Sequence, residues 1–143
     1  MKPFKKYRES KDVRKTTPNP NEIKSIISDS TKRFETFFNL KHNSEMTKYV
    51  FENLYESLRE LSECIALTKG LKIYSHEITI SFLLSQNILD ESKAQIFNDF
   101  RKLRNQSKYY GKNISPEKLE ESIKDIIKIK DILIKYLEEN GQP

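Results

Sequence analysis

Five successive stretches of this chain repeat their apolar residues at intervals of three and four, and most are bracketed by residues that start or stop a helix. Side chains spaced in this way gather on one side of a helix, and that side has to be buried against other helices. The first stretch runs from about Glu22 to Leu40, with Asn21 as the N-cap and Ile23, Ile26, Ile27, Phe34, Phe37 and Phe38 as its buried set. The second starts at Ser44, carries Val50, Leu54, Leu58, Leu61 and Ile65, and stops at Gly70. Ser75 caps a short third helix with Ile78, Phe82 and Leu83, ending near Gln86-Asn87. Asp90 caps a fourth from about Glu91 to Tyr110, where Gly111 supplies the left-handed residue that ends it. Ser115 and Pro116 open a fifth, expected to reach Asn140-Gly141. No stretch alternates convincingly as a strand, so the expected fold class is all-α, with about five helices.

Residues 1–21 stand apart. They are poor in apolar residues, end in the breaker string Thr16-Thr17-Pro18-Asn19-Pro20-Asn21, and read as a mobile basic tail ahead of a single helical domain over residues 22–143. They hold seven of the 26 basic side chains and two of the 21 acidic ones, leaving 19 of each sign in the rest, so the net charge of +5 belongs to the tail. Such an arm raises encounter rates with polyanions, although a solvated terminus without a partner has the same composition. The chain has 36% hydrophobic residues and no apolar run approaching the roughly 20 that span a bilayer. Without a secretory signal the expected location is the cytoplasm. The single Cys64 excludes an internal disulfide, and His42 and His76 alone provide no zinc-ligand set, so no metal or other cofactor is expected.

The last helix is apolar over much of its circumference. Leu119, Ile123, Ile126, Ile127, Leu133, Ile134 and Leu137 form one stripe, and Ile129, Ile132 and Tyr136 a second. Either this helix occupies the middle of the bundle or its second stripe meets another chain.

The densest chemistry lies in FRKLRNQSKYYGK, Phe100 to Lys112. On an ideal helical wheel Ile96, Phe100, Leu103, Ser107 and Tyr110 face the core, whereas Tyr109 shares the opposite side with Asn98, Lys102 and Asn105, and Arg104 lies at the margin. A guanidinium there can hold a phosphate in fork geometry, and an exposed tyrosine ring can stack on a base. The same spacing also fits an Arg104 paired with a carboxylate of a neighbouring helix and a Tyr109 that covers apolar surface. His76, in the first turn of a short helix, reads as a capping or partly buried polar group. Neither histidine has a nucleophile or carboxylate partner that spacing can place, and with only three glycines there is no phosphate-binding loop.

The order of LTKGLKIYSHEITISFLL (Leu67 to Leu84), FNDFRKLRNQSKYYGK (Phe97 to Lys112) and a long closing helix resembles the HEPN superfamily over about residues 22–140. The resemblance implies an antiparallel helical bundle that often dimerises with the fourth helices bordering a shared cleft. It also implies a setting of toxin–antitoxin or defence systems, or partnership with a minimal nucleotidyltransferase. Many members are metal-independent ribonucleases with an arginine, a polar residue and then a histidine. Arg104 and Asn105 match the first two positions, but Tyr109, or Tyr110 at one residue longer spacing, stands where the histidine belongs. Imidazole exchanges protons near neutral pH, and a phenol with a pKa near 10 does so poorly. The leading expectation is therefore a dimer that binds RNA or a nucleotide through Arg104, Asn105 and Tyr109, with Lys102, Lys108 and Lys112 assisting and efficient catalysis absent. Two other readings stand beside it: a toxin-like ribonuclease using Arg104, Asn105 and Tyr109 or Tyr110, and a purely structural interaction module.

Overall fold

A computed structural model describes residues 1–140 of the chain. It is an all-α helical bundle carrying one small two-stranded sheet. The helices are α1 (Pro20–Phe38), α2 (Thr47–Thr68), α3 (His76–Ser85), α4 (Glu91–Tyr110) and α5 (Pro116–Glu139). The strands are β1 (Val13–Lys15) and β2 (Leu71–Ile73), and single 3-10 turns occupy Phe4–Lys6 and Ser44–Met46. Among the described residues no helix is long and apolar enough to cross a membrane.

The caps follow local chemistry. The side chains of Ser75, Asp90 and Ser115 accept the backbone N–H groups of Ile78, Lys93 and Lys118, and Gly111 ends α4 at φ 67°. Two starts differ from expectation. Asn19, rather than Asn21, caps α1, accepting from the N–H groups of both Asn21 and Glu22, because Pro20 is suited to the first helical position. Ser44 opens a 3-10 turn instead of α2, since the Asn43 side chain takes the Glu45 N–H and closes a tighter turn first. Gly141, the expected stop of α5, lies outside the described residues.

The middle of the bundle belongs to α2 and not to α5. α2 packs against α1, α3, α4, α5 and β2, and the expected Val50, Leu54, Leu58, Leu61 and Ile65 are all buried. Phe51, Tyr55, Ser62 and Cys64 bury further sides of it. Full burial of a side chain such as Leu54 or Leu58 contributes about 1.5–3 kcal/mol. On α5 the fully buried line is Leu119, Ser122, Ile126, Ile129, Leu133 and Leu137, flanked by half-buried Ile123, Ile127 and Ile134 on one side and Ile132 and Tyr136 on the other. The two apolar stripes of α5 thus merge into one broad contact within the chain, with Leu119, Ile126, Ile129, Leu133 and Leu137 at its centre.

The segment expected to be a mobile tail is docked. Phe4 is buried edge-to-face on Phe82 at 5.0 Å, within a second small core made with Ala66, Ile73 and Ile78. The Ser81 hydroxyl donates to the Lys2 carbonyl at 2.7 Å. β1 pairs antiparallel with β2 in the register Val13↔Ile73, Arg14↔Lys72, Lys15↔Leu71. Hydrogen bonds from Tyr74 N–H to the Asp12 carbonyl (2.8 Å) and from Thr16 N–H to the Gly70 carbonyl (2.9 Å) prolong the ribbon at each end. Gly70 adopts φ +77°, and a Cβ there would stand 3.2 Å from the Thr16 carbonyl. An aromatic anchor and a backbone ladder therefore outweigh the polar composition of residues 1–21.

Candidate nucleic-acid interface

The site grows from the contact of α4 with α2. Ala94, Phe97, Phe100 and Ser107 bury one side of α4, and the Ser107 hydroxyl donates to the Glu52 carboxylate of α2 at 2.6 Å. Opposite Phe97 stands Tyr55, fully buried, with the two ring centroids 6.0 Å apart. The first turn of α3 inserts His76 between them, its ring 5.2 Å from Tyr55 and 4.9 Å from Phe97, and its Nδ1 hydrogen-bonded to the Tyr55 hydroxyl. His76 as a residue is half-buried, yet Nε2 is shut off from solvent and has no partner among the described residues.

Arg104 closes this stack from the outside. Its guanidinium lies 5.0 Å from the Tyr55 ring centroid and its side chain is 12% exposed. Its polar contacts are long: 3.7 Å to the Glu56 carboxylate and 3.5 Å to the Tyr109 hydroxyl, at or past the limit of a hydrogen bond. Nε is buried without a partner among the described residues. The Glu56 carboxylate is engaged more closely by Arg59, which also holds Glu63. Arg101 donates to the Asn98 side chain at 2.9 Å and forms no ion pair among the described residues.

The electrostatics follow from this packing. Burial, together with the charges of Arg59, Arg101 and Arg104, holds His76 well below its ordinary pKa, so the imidazole is neutral at pH 7. Burial pushes the Tyr55 phenol up, against the pull of Arg104, Arg101 and Arg59, so it stays protonated. For Glu56, burial works upward but is outweighed by the Arg59 hydrogen bond and by the charges of Arg59, Arg104 and Arg33, and the carboxyl sits below its usual range. Glu60 and Glu63 are raised by burial, only partly offset by Arg33 and Arg59 respectively.

Beside Arg104 opens a cleft of about 130 Å³ lined by Glu52, Asn53, Glu56, Arg104 and Lys108. Tyr109 stands exposed next to it. Of the residues singled out from sequence, the fold thus brings together Arg104, Lys108 and Tyr109, with Asn105 half-buried on the same turn. Lys102 and Lys112 line a different groove, of about 400 Å³ between α4 and α5, where Lys112 donates to Gln106 at 3.1 Å. Asn98 is buried rather than exposed. Tyr110, expected in the core, is 84% exposed, because the last turn of α4 runs past the end of the packed bundle. His76 does lie under Arg104, one tyrosine away, but it is absent from the cleft lining. The sequence reading missed Tyr55, Glu56, Arg59 and Arg101. The visible signal for part of this set was the line of charged residues Glu52, Glu56, Arg59, Glu60 and Glu63 along α2.

Among the described residues no group of three or more His, Cys, Asp or Glu side chains is arranged to hold a metal ion. The sequence matches no model of a known protein family, and comparison with curated proteins likewise finds no match.

Proposed function

We propose that the chain is a HEPN-like recognition module that holds an RNA or nucleotide phosphate at the α2–α4 cleft. Arg104 is the phosphate ligand, Lys108 adds charge beside it, and Tyr109 offers a ring for a base. The observation that carries the reading is the condition of Arg104. Its guanidinium is fixed in place over Tyr55, yet its polar contacts are long and the nearest carboxylate is already taken by Arg59. A pre-positioned guanidinium with unfilled hydrogen-bonding capacity at the edge of a cleft suits a phosphate, which accepts from it in fork geometry. With no imidazole in the cleft, the reading is binding without efficient cleavage. The partner class is a second protomer or a minimal nucleotidyltransferase meeting the end of α4, a surface supported by the exposed rings of Tyr109 and Tyr110.

The test is retention and cleavage of a labelled, structured RNA pool without divalent metal. It compares wild type, Arg104→Ala and Arg104→Lys at two salt concentrations. The expected outcome is retention without cleavage, weakened in Arg104→Ala and only partly restored by lysine, with the salt slope reduced by about 0.7–0.9 for the lost phosphate contact. Equal retention by all three proteins leaves the structural reading in place of this one. Cleavage that disappears in Arg104→Ala replaces it with the ribonuclease reading.

A further inference from the structure

The β1–β2 ribbon carries a second arrangement of cations around an aromatic ring. Strand alternation sends Val13 and Ile73 inward, Ile73 being buried in the small core with Phe4 and Phe82, and leaves Arg14, Lys72 and Tyr74 exposed. Arg14 and Lys72 are direct cross-strand partners. Like charges placed opposite each other destabilise a ribbon, and this one has only three residues per strand with which to offset the cost. Both cations also lean on one ring, with the Arg14 guanidinium 5.3 Å and the Lys72 ammonium 5.6 Å from the Tyr74 centroid. Tyr74 is itself 55% exposed.

Among the described residues Lys11, Arg14, Lys15 and Lys72 form no ion pair. Asp12, the carboxylate nearest in register and opposite Tyr74, forms none either. Residues 22–143 are balanced in charge, so the excess of the chain is carried by the segment that includes β1, which brings Arg14 and Lys15 to the ribbon.

We infer that this ribbon is a contact surface for single-stranded RNA, with one base stacked on Tyr74 and adjacent phosphates held by Arg14 and Lys72. Base-on-aromatic stacking flanked by phosphate-binding cations is how sequence-tolerant single-strand recognition is built. The inference rests on the RNA reading of the Arg104 cleft for its ligand class, but it uses different residues. Along the chain, Ser75 alone separates Tyr74 from His76, so the ribbon leads directly into the element that packs beneath Arg104.

The test is fluorescence anisotropy of a labelled oligouridylate with the full chain, titrated between about 50 and 200 mM salt. It covers wild type, the double variant Arg14→Gln/Lys72→Gln, Tyr74→Ala, Tyr74→Phe and Arg104→Ala. The substituted ribbon side chains are exposed, and helical circular dichroism checks that each variant folds. The double variant is expected to lower the salt slope by about 1.4, two single-strand phosphate contacts at about 0.7 each. Tyr74→Ala is expected to weaken binding by about tenfold, while Tyr74→Phe, which keeps the ring, stays within about twofold. Unchanged slope and affinity in the double variant and in Tyr74→Ala overturn the inference even if Arg104→Ala weakens binding. Weakening by the ribbon substitutions with Arg104→Ala unaffected sustains the ribbon and removes the cleft reading. Absence of wild-type binding at the lowest salt overturns the ribbon inference, while the cleft reading is decided by the structured RNA pool.

Discussion

His76 is expected to make the protein acid-sensitive in a way that one substitution removes. Its imidazole is kept neutral by burial and three arginines, and Nε2 is buried without a partner among the described residues. The unfolded chain takes up that proton with a pKa near 6.5 while the native state does not, so stability falls as pH drops below that value. The limiting slope is about 1.4 kcal/mol per pH unit. So long as the native ring stays neutral, lowering the pH from 7 to 5 removes about 2 kcal/mol through this group alone. Glu60 and Glu63 act in the opposite sense: burial raises them, so the native state takes up their protons first and gains stability as pH falls through that window. Urea unfolding followed by helical circular dichroism, comparing wild type with His76→Gln at pH 7, 6 and 5, cancels what the two proteins share. Wild type is expected to lose more stability than His76→Gln across that range, by up to about 2 kcal/mol, whatever constant offset the lost ring packing introduces. Parallel stability curves would refute the claim that His76 is held neutral beneath Arg104.

Three further outcomes test the packing. Phe4→Ala removes the anchor on Phe82 and is expected to weaken docking of the first segment by about 3 kcal/mol, speeding tryptic cleavage between Lys5 and Lys15 by roughly 150-fold. Equal cleavage rates would mean the segment is held by the ribbon alone. Gly70→Ala forces a side chain into φ +77° against the Thr16 carbonyl and is expected to cost about 1–3 kcal/mol, read as a lowered Tm; an unchanged Tm would argue against this turn. Burial, with a contribution from Glu22, pushes the Cys64 thiol up to about 12. A thiol reagent at pH 8 should therefore leave native protein almost unlabelled and react promptly in urea, and rapid labelling of the native state would contradict the packing of α1 on α2.

The helices were legible because their signals are local. Ser75, Asp90 and Ser115 each announce a cap within four residues of sequence, and the three-and-four spacing of Val50 to Ile65 selects the buried side of α2 without reference to the rest of the chain. The ribbon was not legible for the opposite reason. Three-residue strands are too short to show alternation, and the partner of Val13 is Ile73, on the far side of two helices. The same division applies to the site. Arg104, Lys108 and Tyr109 lie within six residues at one end of α4 and are neighbours in the sequence itself, whereas Tyr55, Arg59 and His76 join them only through packing of α2 and α3. The helical wheel assumes that a core lies beside every turn. It therefore buried Tyr110, which extends beyond the bundle, and exposed Asn98, which is turned inward with Arg101 bonded to it.

The pairing of β1 with β2 also sets an order of events during synthesis. Residues 4–15 leave the ribosome before their binding place exists, because Ile73 and Phe82 have yet to be made. α1 and α2 are adjacent in sequence and can pair early, as contacts of short separation do. The basic segment must then wait, unattached, until β2 has been made, and Phe4 waits longer, for Phe82 of α3. Pairing of β1 with β2 is the step that fixes Arg14 beside Lys72, so the ribbon closes only once the chain has been made through Ile73, and the Phe4 anchor only once it has been made through Phe82.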